Sequence, residues 1–106
     1  MDNQHRKISG YRELSQDEID LMNKVKQKGA ELEELLAEVT LYLEQQAFAC
    51  HLDDHVYVDA RRRTDLEVEQ SRLERADPQR WHARAQQSFQ EGVMFLVRAV
   101  AQPITF

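Results

Sequence analysis

The sequence predicts an all-α fold, and three observations carry that prediction. The chain of 106 residues holds only three glycines and two prolines, with 42% hydrophobic and 31% charged residues. Its apolar residues recur at steps of three and four, the period of an amphipathic helix. Two Ser/Thr-x-x-Glu sequences, Ser15 to Glu18 and Thr64 to Glu67, stand before apolar-periodic runs and read as capping boxes. Valines and aromatics are too sparse and scattered for a sheet. Residues 1–106 suffice for a single small domain with a thin core, so self-association is expected to help bury apolar surface. The expected form is a long antiparallel helical hairpin with a short N-terminal segment, assembled as an oligomer.

The first helix follows from its start. Ser15 supplies an N-cap hydroxyl and Glu18 an N3 carboxylate, with Leu14 and Ile19 at the staple positions. Asp17, Glu18 and Asp20 suit the positive end of the helix dipole. Met22, Val25, Gly29, Leu32, Leu36, Val39 and Leu43 then form a heptad-like seam, widened by Leu35 and Tyr42. This predicts one helix from Gln16 to Ala49, about 50 Å long at 1.5 Å per residue. Gly29 within the seam permits close approach of another backbone, at about 1 kcal/mol in helix propensity.

From His51 to Arg63 two readings stay open, a continued helix or a connection. Thr64-Asp-Leu-Glu67 predicts a second helix over 65–76. Asp77 as N-cap and Pro78 at N1 start a third helix. Trp81, Ala85, Phe89, Gly92, Val93, Leu96, Ala99 and Val100 give it an apolar stripe that ends before Pro103.

Charge and cysteine content narrow the function classes. The net charge of -5 is uneven: residues 1–28 carry +1, residues 29–77 carry -8 and residues 78–106 carry +2. An acidic chain discourages a nucleic-acid footprint, so no DNA or RNA partner is expected, whereas a few local cations can still hold a small anion. The single Cys50 rules out an internal disulfide and suits a reducing cytoplasm. No apolar run approaches the length of about 20 residues that a membrane helix needs. The polar start MDNQHRK is not a secretory leader pattern. A cytoplasmic protein without membrane contact is therefore expected.

Chemistry-bearing residues are few. Cys50 beside His51 is more simply a small buried hydrophobe than a nucleophile, and no nucleophile elbow accompanies it. His51, His55 and Asp59 would align three metal ligands if one helix ran through them, but a polar surface face produces the same spacing. Arg61, Arg62 and Arg63 splay around a helix among acidic neighbours and read as a solvated run. Neither a cofactor nor a metal is expected.

The remaining group is Tyr11, Arg12, Lys24, Lys26 and Lys28. Tyr11 stands outside the first helix, behind the flexible Gly10. It can serve as a flat lid, and a two-fold contact would present tyrosines and lysines in pairs. That suits a ligand with two bases and two phosphates. The plainer reading packs Tyr11 on the hairpin and leaves the lysines as solubilising charges.

Two stretches, ISGYRELSQDEIDLMNKVKQKG (8–29) and ADPQRWHARAQQSFQEGVMFLVRAVAQPITF (76–106), resemble the phage anti-CBASS sponge proteins. That family is marked by an N-terminal GYR-L-S/T-x-x-E block and a C-terminal RW…RAVAQP-TF block. The resemblance covers about half the chain. It implies a hexamer of interlocked dimers that sequesters cyclic dinucleotides such as 3′,3′-cyclic GMP-AMP without cleaving them, and in some members of the family cyclic trinucleotides at separate positions. Carried over, Tyr11 stacks on a base and Lys26 contacts a phosphate, with Gly10 and Arg12 in the same site. Arg80 matches an arginine of the trinucleotide site, and Lys28 stands where a small hydroxyl residue is typical. The stretch FACHLDDHVYVDARRRTDLEVEQ departs from the family pattern and looks longer than the usual connection. Against the sponge stand two other classes. One is a helical protein-interaction module using the Leu32/Leu36/Val39 seam; the other is a phosphodiesterase requiring a metal site.

Overall fold

The structure, a computed structural model, describes residues 12–52 and 57–104. Three helices follow in order: α1 (Gln16–Ala49), α2 (Ala60–Ala76) and α3 (Pro78–Ala101). No strand occurs among the described residues. The contacts divide the chain into two units. One comprises 1–34 and 86–106, and the other comprises 35–85.

In the first unit the early part of α1 runs antiparallel to the late part of α3. Gly29 marks a close approach: a Cβ placed there would lie 3.2 Å from both γ carbons of Val93. Valine is stiff at χ1 within a helix and cannot readily swing away. The cost of the glycine thus secures a tight helix contact. Met22, Val25 and Leu32 line the same seam and are half-buried. At the opposite end of α3, Gln102 adopts a left-handed backbone (φ 49°), its amide donates to Arg98 O at 2.8 Å, and Pro103 follows. A left-handed residue followed by proline is a helix stop.

In the second unit α1 and α3 are joined by a polar tie. His82 Nε2 lies 2.9 Å from Leu36 O and 3.0 Å from Thr40 Oγ1. A carbonyl only accepts, so Nε2 carries the hydrogen. The Thr40 hydroxyl donates to the same Leu36 carbonyl at 3.0 Å. With Gly29, this contact places the Leu32/Leu36 side of the seam against α3, where it is occupied by the chain's own helix.

Two local expectations are corrected here. The second helix begins at Ala60 rather than Asp65, because Asp59 is its N-cap and accepts from Arg62 N at 2.8 Å. Thr64 then lies inside the helix, its hydroxyl donating back to Ala60 O at 3.0 Å. Asp77 precedes α3 as expected but adopts the left-handed region (φ 49°, ψ 55°) and closes α2, its amide donating to Leu73 O at 2.9 Å. Only its carbonyl serves α3, accepting from Arg80 N at 3.2 Å. Aspartate is one of the few residue types that tolerates that backbone. Of the two readings for 51–63, the continued helix fails: residues 51, 52 and 57–59 are outside any helix.

Very little of this single chain is fully covered. Among the described residues only Cys50 and Ala101 are buried hydrophobics. In the first unit Phe89, Met94, Phe95 and Leu96 of α3 stay exposed, Phe95 at 57%. In the second, Leu35 and Tyr42 of α1 and Trp81 of α3 do, each at 50% or more. Apolar surface on this scale marks an interaction face in a soluble protein.

The Gly29 contact makes a direct prediction. Gly29→Ile drives a branched side chain into Val93 and is expected to cost about 1–3 kcal/mol in denaturant unfolding. Unchanged stability would mean that the two helices are not held this closely.

Candidate functional site

The first four described residues, Arg12 to Ser15, precede α1 and set its start. Ser15 Oγ accepts from Glu18 N at 3.2 Å while Glu18 Oε1 accepts from Ser15 N at 3.0 Å. This is the reciprocal capping box that the sequence predicts. Leu14 and Ile19 are both half-buried, as the staple requires.

Arg12 connects that cap to the far end of the chain. Its Nε donates to Ala101 O at 3.1 Å and its Nη2 to Val100 O at 3.1 Å. These are last-turn carbonyls of α3, which no helical amide can reach. The same guanidinium spans the Glu18 carboxylate, Nη1 donating to Oε1 at 3.2 Å and Nη2 pairing with Oε2. Four of its five N–H groups therefore have partners. The planar fork of arginine suits this double task, and lysine could not perform it. A cation at the negative end of α3 and a carboxylate at the positive end of α1 are each favoured by the helix dipoles.

Glu18 records the arrangement electrostatically. The Arg12 hydrogen bond, followed by those from the Ser15 backbone and hydroxyl, lowers its pKa from 4.5 to about 2.

The other expected site residues are distributed as follows. Gly10 and Tyr11 lie outside the described residues. Lys26 is exposed on α1 and has no hydrogen-bond or ion-pair partner among the described residues. It lies ten residues beyond the helix start, about 15 Å along the axis, so Arg12 and Lys26 are well separated within one chain. Lys28 pairs with Glu31 at 3.2 Å. Residues two positions apart in a helix differ by about 200°, so Lys26 and Lys28 face different sides of α1. Arg80 sits in the first turn of α3 with its guanidinium 5.2 Å from the Trp81 ring centre, in cation–π range.

The metal reading lacks its geometry. His51 and Asp59 are outside any helix, Asp59 is engaged as a cap, and His55 lies outside the described residues. No group of three metal-ligating side chains occurs among the described residues. Cys50 is buried, with its thiol 3.5 Å from Ala47 O. A cavity of about 350 Å³ adjoins it, lined by Leu43, Leu73, Glu74 and Pro78 among others. Among the described residues no helix is long and apolar enough to cross a membrane.

Sequence reasoning missed the Arg12 contact with Val100 and Ala101. The available signal was indirect: an arginine placed just before a helix cap that has no use for it.

Comparison with known proteins bears on the same segments. A family model described as Acb2/Tad1, hairpin domain, matches residues 6–101. Anti-CBASS protein 2 of Pseudomonas phage JBD67 is 47% identical over 124 aligned positions, covering 97% of each chain. The aligned positions outnumber the 106 residues of this chain, so the match opens gaps.

The Glu18 pKa sets a pH window. A carboxylate whose pKa is lowered on folding stabilises the fold above its unfolded value and loses that effect as pH falls through its folded value. The stability advantage of the native chain over Glu18→Gln should therefore be constant above pH 4.5 and vanish towards about pH 2. Denaturant unfolding at a series of pH values measures it. A pH-independent difference would mean that the Arg12 pair does not form.

Proposed function

The chain belongs to the Acb2/Tad1 hairpin-domain family, and from that premise we propose that it opposes CBASS signalling as a sponge. It captures a cyclic dinucleotide such as 3′,3′-cyclic GMP-AMP intact and holds it away from the host effector. The observation that carries the reading is Lys26, an exposed ammonium without a carboxylate partner among the described residues, inside the stretch that matches the family. A phosphate fills that role without displacing a contact to any described residue.

In this reading Tyr11 stacks on a base and Lys26 neutralises a phosphate, with Gly10 leaving the backbone before Tyr11 free to adapt. A second copy supplies the matching pair, so one ligand spans two protomers. Two stacked bases at about 1–3 kcal/mol each and two charge-assisted phosphate contacts at about 1.5–3 kcal/mol each approach, at most, the roughly 12 kcal/mol of a nanomolar complex. Capture of this kind uses no general acid, base or nucleophile, and the proposal assigns none. The site of action is the interior of the infected cell, where the signal is made.

The uncovered apolar faces of α1 and α3 support a homo-oligomer, and the hexamer implied by the family resemblance is the assembly proposed. Cyclic trinucleotides are the second ligand class, with Lys28 and Arg80 as contacts. There Glu31 competes with the ligand for Lys28, and this competition weakens that site relative to the first. A freely available seam for a foreign protein partner has less support, since α3 already lies on the Leu32/Leu36 side.

The test is capture followed by recovery. Protein mixed with 3′,3′-cyclic GMP-AMP should remove it from a filtrate and return it unchanged after heat denaturation. Tyr11→Ala and Lys26→Ala should each lose capture while keeping full helicity. Recovery of a linear nucleotide would replace the sponge with an enzyme, and normal capture by both variants would remove the site assignment.

A further inference from the structure

We infer that α3 carries a second packing seam, and that a second copy of this chain lies antiparallel along it. The inference rests on the homo-oligomer reading above and names the face, the crossing point and the direction. Val93 meets Gly29 of α1 and, with Val97 and Val100, is half-buried. Ser88, Gly92, Phe95 and Ala99 follow at steps of four, three and four, the spacing of a coiled-coil seam. At about 100° per residue, their mean direction lies roughly 130° from Val93. All four are exposed and none is charged.

Gly92 distinguishes this face. Glycine is a poor helix former, yet it stands well inside α3. A Cβ added at Gly92 would meet nothing within 4 Å, so no packing among the described residues requires the glycine. At Gly29, by contrast, the neighbour that requires it is Val93. The room at Gly92 fits a side chain from outside. Phe95, 57% exposed, stands three residues further along the same face. Two antiparallel copies place each Phe95 over the partner's Gly92, and each Ser88 beside the partner's Ala99. A two-fold contact demands such self-complementarity.

The flanks select the direction. In the heptad frame of this seam, Phe89 and Leu96 border one side, and Glu91 and Arg98 border the other. Antiparallel copies bring like flanks together. Phe89 then meets the partner's Leu96, and Glu91 meets the partner's Arg98, each pair occurring twice by symmetry. Parallel copies would set a charged flank against an apolar one. Glu91 accepts from Gln87 through Oε1 at 3.3 Å, and a carboxylate has a second oxygen. Arginine has five N–H donors, so Arg98 serves the partner while keeping contacts of its own. With only Cys50 and Ala101 buried among the described hydrophobics, the chain needs a cover that is always present. Its own copy meets that need.

Sedimentation velocity of the full chain over a concentration series tests this face, with circular dichroism reporting helicity. Gly92→Leu should weaken self-association on the order of tenfold to a hundredfold by filling the space Phe95 occupies. Leucine is the better helix former, so a glycine without a partner predicts no such loss. Glu91→Arg and Arg98→Glu should each assemble poorly alone and associate when mixed. Only the mixture sets opposite charges across the seam, which a purely internal role for either residue does not predict. Native-like assembly of Gly92→Leu, or a mixture no better assembled than its components, overturns the inference and leaves the homo-oligomer reading intact. A native chain that stays monomeric would overturn both. If one variant loses helicity, the other arm decides alone.

Discussion

The end of the fold where α1 starts and α3 stops depends on one guanidinium bridging two helix termini. Helix ends are the weak points of an all-α protein, because the first amides and last carbonyls have no internal partner. Here the start of α1 and the end of α3 meet, and Arg12 satisfies both with a single planar group. The choice of arginine follows from geometry. A forked cation reaches two carbonyls and a carboxylate in one plane, whereas an ammonium offers a point charge.

This contact also gives a physical reason for the two sequence blocks to occur together. The N-terminal block contains Arg12, Ser15 and Glu18, and the C-terminal block contains Val100, Ala101 and the Gln102-Pro103 stop. Arg12 and its carbonyl partners lie 88 and 89 residues apart in sequence, yet form one hydrogen-bonded unit. The intervening stretch, which carries most of the acidic surplus, is free of that coupling.

Much of the fold was legible because its signals are local. The α1 boundaries, Gln16 to Ala49, follow from an unambiguous cap and an unbroken seam. The start of α2 was misplaced because two caps compete five residues apart. Asp59 captures Arg62 N, which leaves the Thr64 hydroxyl to fold back on Ala60. Asp77 was located correctly but misread chemically, since sequence does not distinguish a side-chain cap from a left-handed backbone stop. The Arg12 and His82 contacts join residues far apart in sequence, which no periodicity encodes. For the candidate site, the exposure of Lys26 and its lack of a partner among the described residues became visible only in three dimensions, and the tyrosine was marked by sequence alone.

The central claim is that two protomers share one cyclic dinucleotide. Calorimetric titration of 3′,3′-cyclic GMP-AMP into the intact protein, with the assembly state measured in parallel, tests it most directly. Saturable binding at one ligand per two protomers, abolished by Tyr11→Ala, is the predicted result. Absence of binding, or saturation at one ligand per protomer, would contradict it.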